Sequence, residues 1–466
     1  MRAWVTRVVS GLEPVRFFVI LAAVFGFAFL LITPPFQGAD EVAHYLRAYQ
    51  ISEGHFVATK DAKGRVGGYL PSDVDKVINT TDNPSVQFYP QLKYGEGLTK
   101  KALGIPRSNS YNFDQFAPSA SYPPTAYPLS SFGIFVTRIL RLPTMVSLYA
   151  ARLGNLLTWI VLVGLAIYWL PGRKWALVAV GLLPMALFQA STLNGDVITI
   201  GTLTLLLAAI LKLRNDRTKL STGWMSLLLV VTALMVLSKD IMFLFLPLVL
   251  LLRKENFSSP RQAWLLKTAV IVVPLLLFGA WMHASHGVSS DFYDNGQNPS
   301  DQLHMILHKP LHYVRVLWNT WFFTWGDGIT RALVGTFGWA DTPLAESIVT
   351  VGYIGLFLLL VGSYEGSYSE LLSRRSKQLL LVLAVLYFLA VSTALYMYYS
   401  PVGFNIVYGL QGRYFLPLPL LAVPLFRTKL IKIDKVLYQR LAVGLPVLLL
   451  LCSTITIYVR YFVHNV

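Results

Sequence analysis

Residues 15–44 read VRFFVILAAVFGFAFLLITPPFQGADEVAH. The run from Val15 to Thr33 carries one charge, Arg16, and is long enough to cross the roughly 30 Å of hydrocarbon that about 20 apolar residues span. Pro34-Pro35 ends it, and Asp40 and Glu41 follow within a few residues. Acids beside an emerging apolar helix are costly near lipid, so the pair is a functional hypothesis by default. A signal peptide is the competing reading of the apolar run. Its length and the lack of a small-residue cleavage motif before Asp40 favour a permanent anchor.

The rest of the chain repeats the pattern. Of 466 residues, 55% are hydrophobic and only 13% charged, and the mean hydropathy is +0.55, which excludes a soluble globule. Further apolar runs are centred near residues 157, 183, 204, 230, 246, 272, 355, 389, 420 and 450. The expectation is an all-α integral membrane protein of about eleven transmembrane helices. It forms one domain over 1–466, with a large first outer loop at 36–143 and a second at 283–346.

Charge sets the orientation. With Arg2, Arg7 and Arg16 placed inside, alternate loops carry Arg173-Lys174, the 212–219 cluster, the 253–267 cluster, Arg374, Arg375 and Lys377, and the 427–440 cluster. That side holds 21 Lys/Arg against 6 Asp/Glu, so the net charge of +16 reflects topology and attraction to anionic lipid rather than nucleic-acid binding. The expected location is a bacterial cytoplasmic membrane, with a cytoplasmic amino terminus and the acids on the outer face. Counting 123–142 as a span would invert every later loop. That stretch, with Pro123-Pro124, Arg138 and Arg141, is therefore expected to lie flat as an interfacial helix.

Residues 42–50 read as a helix with Val42, Tyr45, Leu46 and Tyr49 leaning on the membrane, and Asp40, His44 and Arg47 on the other face. Asp40 as a helix N-cap, with Glu41 as a first-turn charge, is the plain alternative. Arg413 lies in Gln411-Gly412-Arg413-Tyr414, on the side where basic residues are sparse. An anion is its natural guest, and a snorkelling arginine is the alternative. Lys239-Asp240 interrupts an apolar stretch at an outer turn, where it could be mere punctuation. Ser191, Asn194 and Asp196 mark another outer junction, suited to helix capping or to sugar hydroxyls. Arg152 falls inside a span and needs a partner. Tyr122 precedes the proline pair and joins the substrate-binding candidates with His44, Arg47, Asn194, Asp196, Gln411 and Tyr414.

His304, His308 and His312 recur at four-residue steps near His283 and His286, but Pro310 breaks the spacing, and an interfacial helix would show the same pattern. Asp291, Asp294 and Asp301 are scattered. No metal is assigned, although a divalent ion is conceivable, and no cofactor is expected. Cys452 is the one cysteine, so no intrachain disulfide can form. Neither Walker-type nor dinucleotide-binding glycine patterns occur, which argues against a soluble nucleotide donor.

An acid at a bilayer surface can deprotonate an acceptor hydroxyl while Arg and Lys stabilise a phosphate leaving from a lipid carrier. Glycosidases need a second carboxyl group to protonate an alkoxide, whereas a phosphate leaving group needs cations. The set therefore suggests sugar transfer from a polyprenyl-phosphate donor with inversion, Asp40 as base, Glu41 beside it, and Arg413, Lys239 and Arg152 on the donor phosphate. The acceptor would be a cell-surface glycan or a lipid-linked molecule, with membrane lipids as surroundings and no nucleic acid.

Pro35-Phe36-Gln37, Asp40-Glu41, His44, Ser191 to Asp196, Ser238-Lys239 and Gln411 to Tyr414 together resemble the bacterial membrane family called domain of unknown function 2142. More broadly, an acidic pair after the first span, a large first outer loop and a proline-containing interfacial helix resemble the GT-C membrane glycosyltransferases. The resemblance implies a GT-C fold, a lipid-phosphate sugar donor, and the first acid after the first span, Asp40, as catalytic base. It also implies that Glu41 assists, or serves as a ligand in members that use a metal. Two other readings stay open. One is a polymerase or ligase using diphosphate-linked lipids, which would rely on outer arginines. The other is a lipid-linked glycan transporter, disfavoured because the charges cluster at helix ends and no internal repeat is found.

Overall fold

The computed structural model describes residues 12–82, 85–95, 97–288, 296–362, 372–425 and 431–463. Arg2, Arg7, Asp291, Asp294, Arg427 and Lys429 lie outside the described residues. The chain is mostly helical. Pro14 opens the first helix, Pro14–Ile32, at a position where a missing N–H is harmless. Ser259 starts Pro260–Ala284 by accepting from Gln262 N, and Asp434 starts Lys435–Phe462 by accepting from Val436 N and Leu437 N.

Among the described residues six helices are long and apolar enough to cross a membrane: Pro14–Ile32, Thr144–Trp169, Asp196–Asp216, Pro260–Ala284, Arg374–Tyr399 and Lys435–Phe462. Lys174–Gly181 and Pro184–Ser191, bent by 56° at a break before Pro184, make a seventh if taken as one span. Eleven crossings are thus not established. The remaining apolar segments are helical but short, at 17 residues for Thr222–Ser238, 12 for Asp240–Leu251, 16 for Glu346–Val361 and 9 for Pro417–Leu425. Asp240–Leu251 is wound as a 3-10 helix, whose rise of about 2.0 Å per residue carries twelve residues about 24 Å.

The helices share two ends. At one, Arg173 donates to the carbonyls of Leu359 and Leu360, Arg214 to Leu251 O, Asn256 to Leu213 O and Thr218 O, and Tyr438 to Leu359 O. These contacts gather several of the basic loops together. At the other end Arg413 meets Asp40, Lys239 meets Asp196, and Arg460 meets Asp341.

Residues 36–143 cap this second end. The helix Glu41–Ser52 does not lean on a membrane: Tyr45 and Tyr49 are fully buried and Leu46 nearly so, in a core shared with Val74, Phe116, Tyr127 and Leu148. A small antiparallel sheet, not anticipated from the sequence, joins β1 (Thr59–Lys60), β2 (Val66–Pro71) and β3 (Tyr111–Gln115), with Gly67 opposite Gln115 and Pro71 opposite Tyr111. A Cβ on Gly67 would sit 1.9 Å from Asp114 O, so that crossing needs glycine. A second pair, β4 (Thr336–Phe337) and β5 (Thr342–Pro343), closes a hairpin in the later outer region.

Pro128–Ile139, the proline-led segment, folds back on the start of Thr144–Trp169 as a helical hairpin, Leu129 and Ser130 meeting Gly154 while Gly133 meets Ala150. Backbone atoms approach so closely there that a Cβ on Gly154 would lie 2.4 Å from Leu129 O. Ser130, Ser131 and Thr137 point inward while Phe132, Phe135 and Ile139 are exposed. That inverted arrangement is what a lipid-facing surface requires.

Candidate functional site

Pro34-Pro35 stops the first helix, and Phe36 and Asp40 then take left-handed backbone conformations, with φ of 61° and 62°. Aspartate is among the residues that tolerate this region best. Asp40 occupies the N-cap position of Glu41–Ser52, yet its carboxylate makes no capping bond. It accepts instead from Arg413 Nη2 at 2.9 Å, and its side chain remains 41% exposed.

Glu41 points the other way. Its side chain is fully buried and forms a two-pronged pair with Arg152, at 2.8 Å to Nε and 2.6 Å to Nη2, and it also accepts from Leu193 N at 2.9 Å. Arg152 spends its other donors on the carbonyls of Leu30, Thr33 and Pro34, so all five N–H groups are occupied. Its expected place on a donor phosphate is therefore not what the geometry offers. Arg152 and Glu41 tie the end of the first helix to the 191–196 corner.

Arg47 is likewise drawn inward. It is fully buried and donates to Tyr122 O from both Nε and Nη2 and to the Gln50 side chain, which removes it from the substrate-facing set. Asn194 shapes its corner by accepting from Asp196 N at 3.0 Å and donating to Gln189 O at 2.7 Å. That corner presents Asp196 to Lys239 Nζ, 2.7 Å away.

Asp40, Arg413, Tyr414, Lys239, Asp196, His44 and Tyr122 come together. The Tyr414 ring joins the two ion pairs, with Lys239 Nζ and the Arg413 guanidinium each 5.2 Å from its centroid, within cation–π range. Its carbonyl accepts from Tyr387 Oη at 2.8 Å, anchoring the 3-10 turn Gly412–Phe415 on the Arg374–Tyr399 helix. His44 Nδ1 is 2.6 Å from Tyr127 Oη, and its ring packs edge-on against Tyr122. Burial pushes the His44 imidazole down to about 4, against Asp40 and Asp196 and helped by Arg413 and Lys239, so it is neutral at pH 7. Burial also pushes Tyr122 up to about 12, with Lys239 opposing. Burial works against the charge on Lys239, yet Asp196 and the nearby tyrosines outweigh it and hold the ammonium well above its usual range.

A cavity of about 330 Å³ adjoins this cluster, lined among others by Ala39, Gln189, Trp325, Arg331, Gln411 and Arg413. Two buried polar atoms on its lining residues, Arg413 Nε and Gln189 Oε1, have no hydrogen-bond partner among the described residues. Gln189, Trp325 and Arg331 escaped the sequence reading. The glycine-spaced Trp325-Gly326-Asp327-Gly328 preceding Arg331 was the available signal. Arg331 pairs with Asp327 and Glu346, at 2.7 and 2.8 Å.

Among the described residues no group of three or more His, Cys, Asp or Glu is placed to hold a metal. His304 and His308 stack on each other with centroids 3.8 Å apart instead of converging on a common point.

Long apolar helices, capped at one end by a buried loop region that supports a charged cluster, define a polytopic helical membrane protein. The chain belongs to the family described as "Predicted membrane protein (DUF2142)", matched over residues 23–422, a span that contains every residue of the cluster. No curated protein and no solved structure matches it.

Proposed function

We propose that the protein is a GT-C-type glycosyltransferase. It moves a sugar from a polyprenyl-phosphate donor to a cell-surface glycan or lipid-linked acceptor, on the outer face of a bacterial cytoplasmic membrane. The observation that carries this reading is the 2.9 Å pair between Asp40 and Arg413, because Arg413 is both the partner of the exposed acid and a wall of the cavity. The gathering of basic loops at the opposite end supports an outward-facing site, since Lys and Arg favour the cytoplasmic side.

In this reading a donor phosphate takes over the Arg413 guanidinium, which frees Asp40 as a base. Asp40 removes the acceptor hydroxyl proton, the acceptor oxygen bonds to the anomeric carbon, and the bond from that carbon to the phosphate oxygen breaks with inversion. The phosphate departs with the bonding electrons and one more negative charge than it had in the diester. Arg413 and Lys239 therefore favour the departing state over the bound one. His44, neutral, orients groups by hydrogen bonding, and Tyr122 and Gln411 border the reacting centre.

The test is transfer of label from a panel of polyprenyl-phosphate sugars in reconstituted vesicles. Asp40→Asn is expected to reduce transfer about 100-fold or more with the fold intact, since asparagine also accepts the left-handed backbone at this position. Retained transfer in that variant overturns Asp40 as base.

Arg331 on the same cavity wall favours a second reading, a ligase or polymerase that grips a diphosphate with two arginines. Activity on diphosphate-linked lipids that survives Asp40→Asn but is lost in Arg331→Ala would select it.

A further inference from the structure

The segment 310–324, from the helix Pro310–Trp318 into the π-helical turn Asn319–Thr324, turns a continuous apolar face away from the protein. Leu311, Val314, Trp318 and Phe322 recur at helical spacing on that face and Phe323 extends it, with Leu311 84% and Phe323 76% exposed. The opposite face is packed: Val316 and Thr320 are buried, and Thr320 Oγ1 accepts from Val407 N at 2.9 Å. Six large apolar side chains turned outward between residues 307 and 323, Leu307 of the preceding helix included, exceed what a water-facing loop ordinarily shows.

What covers this face follows from where the segment lies along a membrane-crossing neighbour. Tyr313 Oη is 2.7 Å from Thr393 Oγ1 and its ring stacks on Tyr396, while Trp321 packs on Phe388 with centroids 4.6 Å apart. All three partners belong to Arg374–Tyr399, whose basic start lies at the end remote from the site. With Arg374 at a headgroup boundary, about 20 residues at 1.5 Å each bring the opposite hydrocarbon boundary near residue 394. Thr393 then marks that boundary, and Phe388 lies about 8 Å inside it. A depth of 5–10 Å is where amphipathic helices bury their apolar face in a leaflet. Arg315, on the exposed face and close to the boundary level, is long enough to lift its guanidinium to the headgroups.

We propose that residues 310–324 form an arm inserted into the leaflet on the site side of the membrane, with Leu311, Val314, Trp318, Phe322 and Phe323 in contact with acyl chains. In the sequence these residues fall within the second outer loop, 283–346, with no membrane contact assigned to 313–324. The proposal does not depend on the glycosyltransferase reading.

Cys452 is the one native cysteine, so a Cys452→Ser background permits single nitroxide labels. Labels at Phe322→Cys and Phe323→Cys, with Ser300→Cys as an exposed control, are read in phosphatidylcholine/phosphatidylglycerol vesicles by collision with oxygen and with a water-soluble nickel chelate. Oxygen-dominated relaxation at 322 and 323 and nickel-dominated relaxation at 300 are expected. Nickel access at 322 and 323 equal to that at 300 overturns the proposal. So does dipolar broadening between labels with low access to both reagents, which would mean that a second copy of the chain covers the face. Should the labelled variants fail to reconstitute, quenching of intrinsic fluorescence by brominated lipid gives an independent reading. The quenched fraction must fall in Trp318→Phe relative to the unsubstituted protein, and an unchanged fraction overturns the proposal.

Discussion

At the scale of single residues, the two neighbouring acids do different work because the backbone turns between them. The Glu41 carboxylate is enclosed, holds Arg152 in two bonds and takes the Leu193 amide as well. Removing its charge leaves Arg152 buried without a counter-ion, a loss of about 3–5 kcal/mol. Glu41→Gln is therefore expected to lower the melting temperature in detergent sharply, and Asp40→Asn to leave it nearly unchanged; equal melting temperatures in the two variants would contradict the division of roles. His44 supplies a pH dependence. Its folded imidazole titrates near 4 because burial disfavours the cation, and its unfolded one near 6.5. The unfolded chain thus takes up the proton first as pH falls. A contribution of about 3 kcal/mol, complete above pH 6.5, is lost progressively as pH drops toward 4. His44→Gln should flatten the fall in melting temperature across that window, and an unaltered slope would place its cause elsewhere.

Among the elements, the short turn Gly412–Phe415 decides where Arg413 sits. A Cβ on Gly412 would meet Leu333 N at 2.4 Å, Ala332 C at 2.5 Å and Ile329 O at 2.6 Å, all backbone atoms of the Gly326–Gly335 helix that cannot rotate away. Gly412→Ala should push the turn off that helix and misplace the guanidinium, and a displacement of about 1 Å can cost about 100-fold in rate. Sugar transfer by this variant measures the effect, and wild-type rates would show that the turn tolerates the methyl group. Gly412 is visible in the sequence, but that a helix backbone approaches it on one side and a cavity on the other is decided by the fold. The hairpin of Pro128–Ile139 on Thr144–Trp169 teaches the same lesson. Charge counting withholds a crossing from 123–142, yet it carries no information on the contact of Gly133 with Ala150 that packs the helix against its neighbour.

Across the whole molecule, the last helix secures the cap. Arg460 donates to Asp341 at 2.6 Å, to Val86 O at 2.6 Å and to Leu92 O at 2.8 Å, while Lys93 Nζ bonds the carbonyls of Val459 and Arg460 at 3.1 Å. The first outer region, the β4–β5 hairpin and the end of Lys435–Phe462 therefore meet in one buried ion pair. Lys93 also places a cation on the helix's carbonyl end, where the macrodipole favours it. Arg460→Ala strands Asp341 and should speed amide hydrogen exchange through 85–95 by well over tenfold, leaving exchange in Asp196–Asp216 unaffected. Unchanged exchange in 85–95 would show that other contacts hold the cap. Nothing in the sequence around Arg460 announced this role, because its partners lie more than a hundred residues away.

The sequence by itself determined that the chain is a helical membrane protein, where its apolar segments fall, and which charges stand apart from the basic loops. Each of these follows from local composition and from the cost of ions in hydrocarbon, which act on short stretches of chain. It also singled out Asp40, Lys239, Asp196, Arg413 and Tyr414, since charged and aromatic residues at helix ends are conspicuous. Only the tertiary structure decided which of the conspicuous residues face one another. Glu41, Arg152 and Arg47 have the same charges as the residues of the cluster and similar positions along the chain. They are consumed by buried carbonyls and by each other because hydrogen-bond satisfaction is a property of the folded interior. Helix winding belongs to the same category: Arg374–Tyr399 is a 26-residue α-helix and Asp240–Leu251 a 12-residue 3-10 helix, although both read in the sequence only as apolar runs.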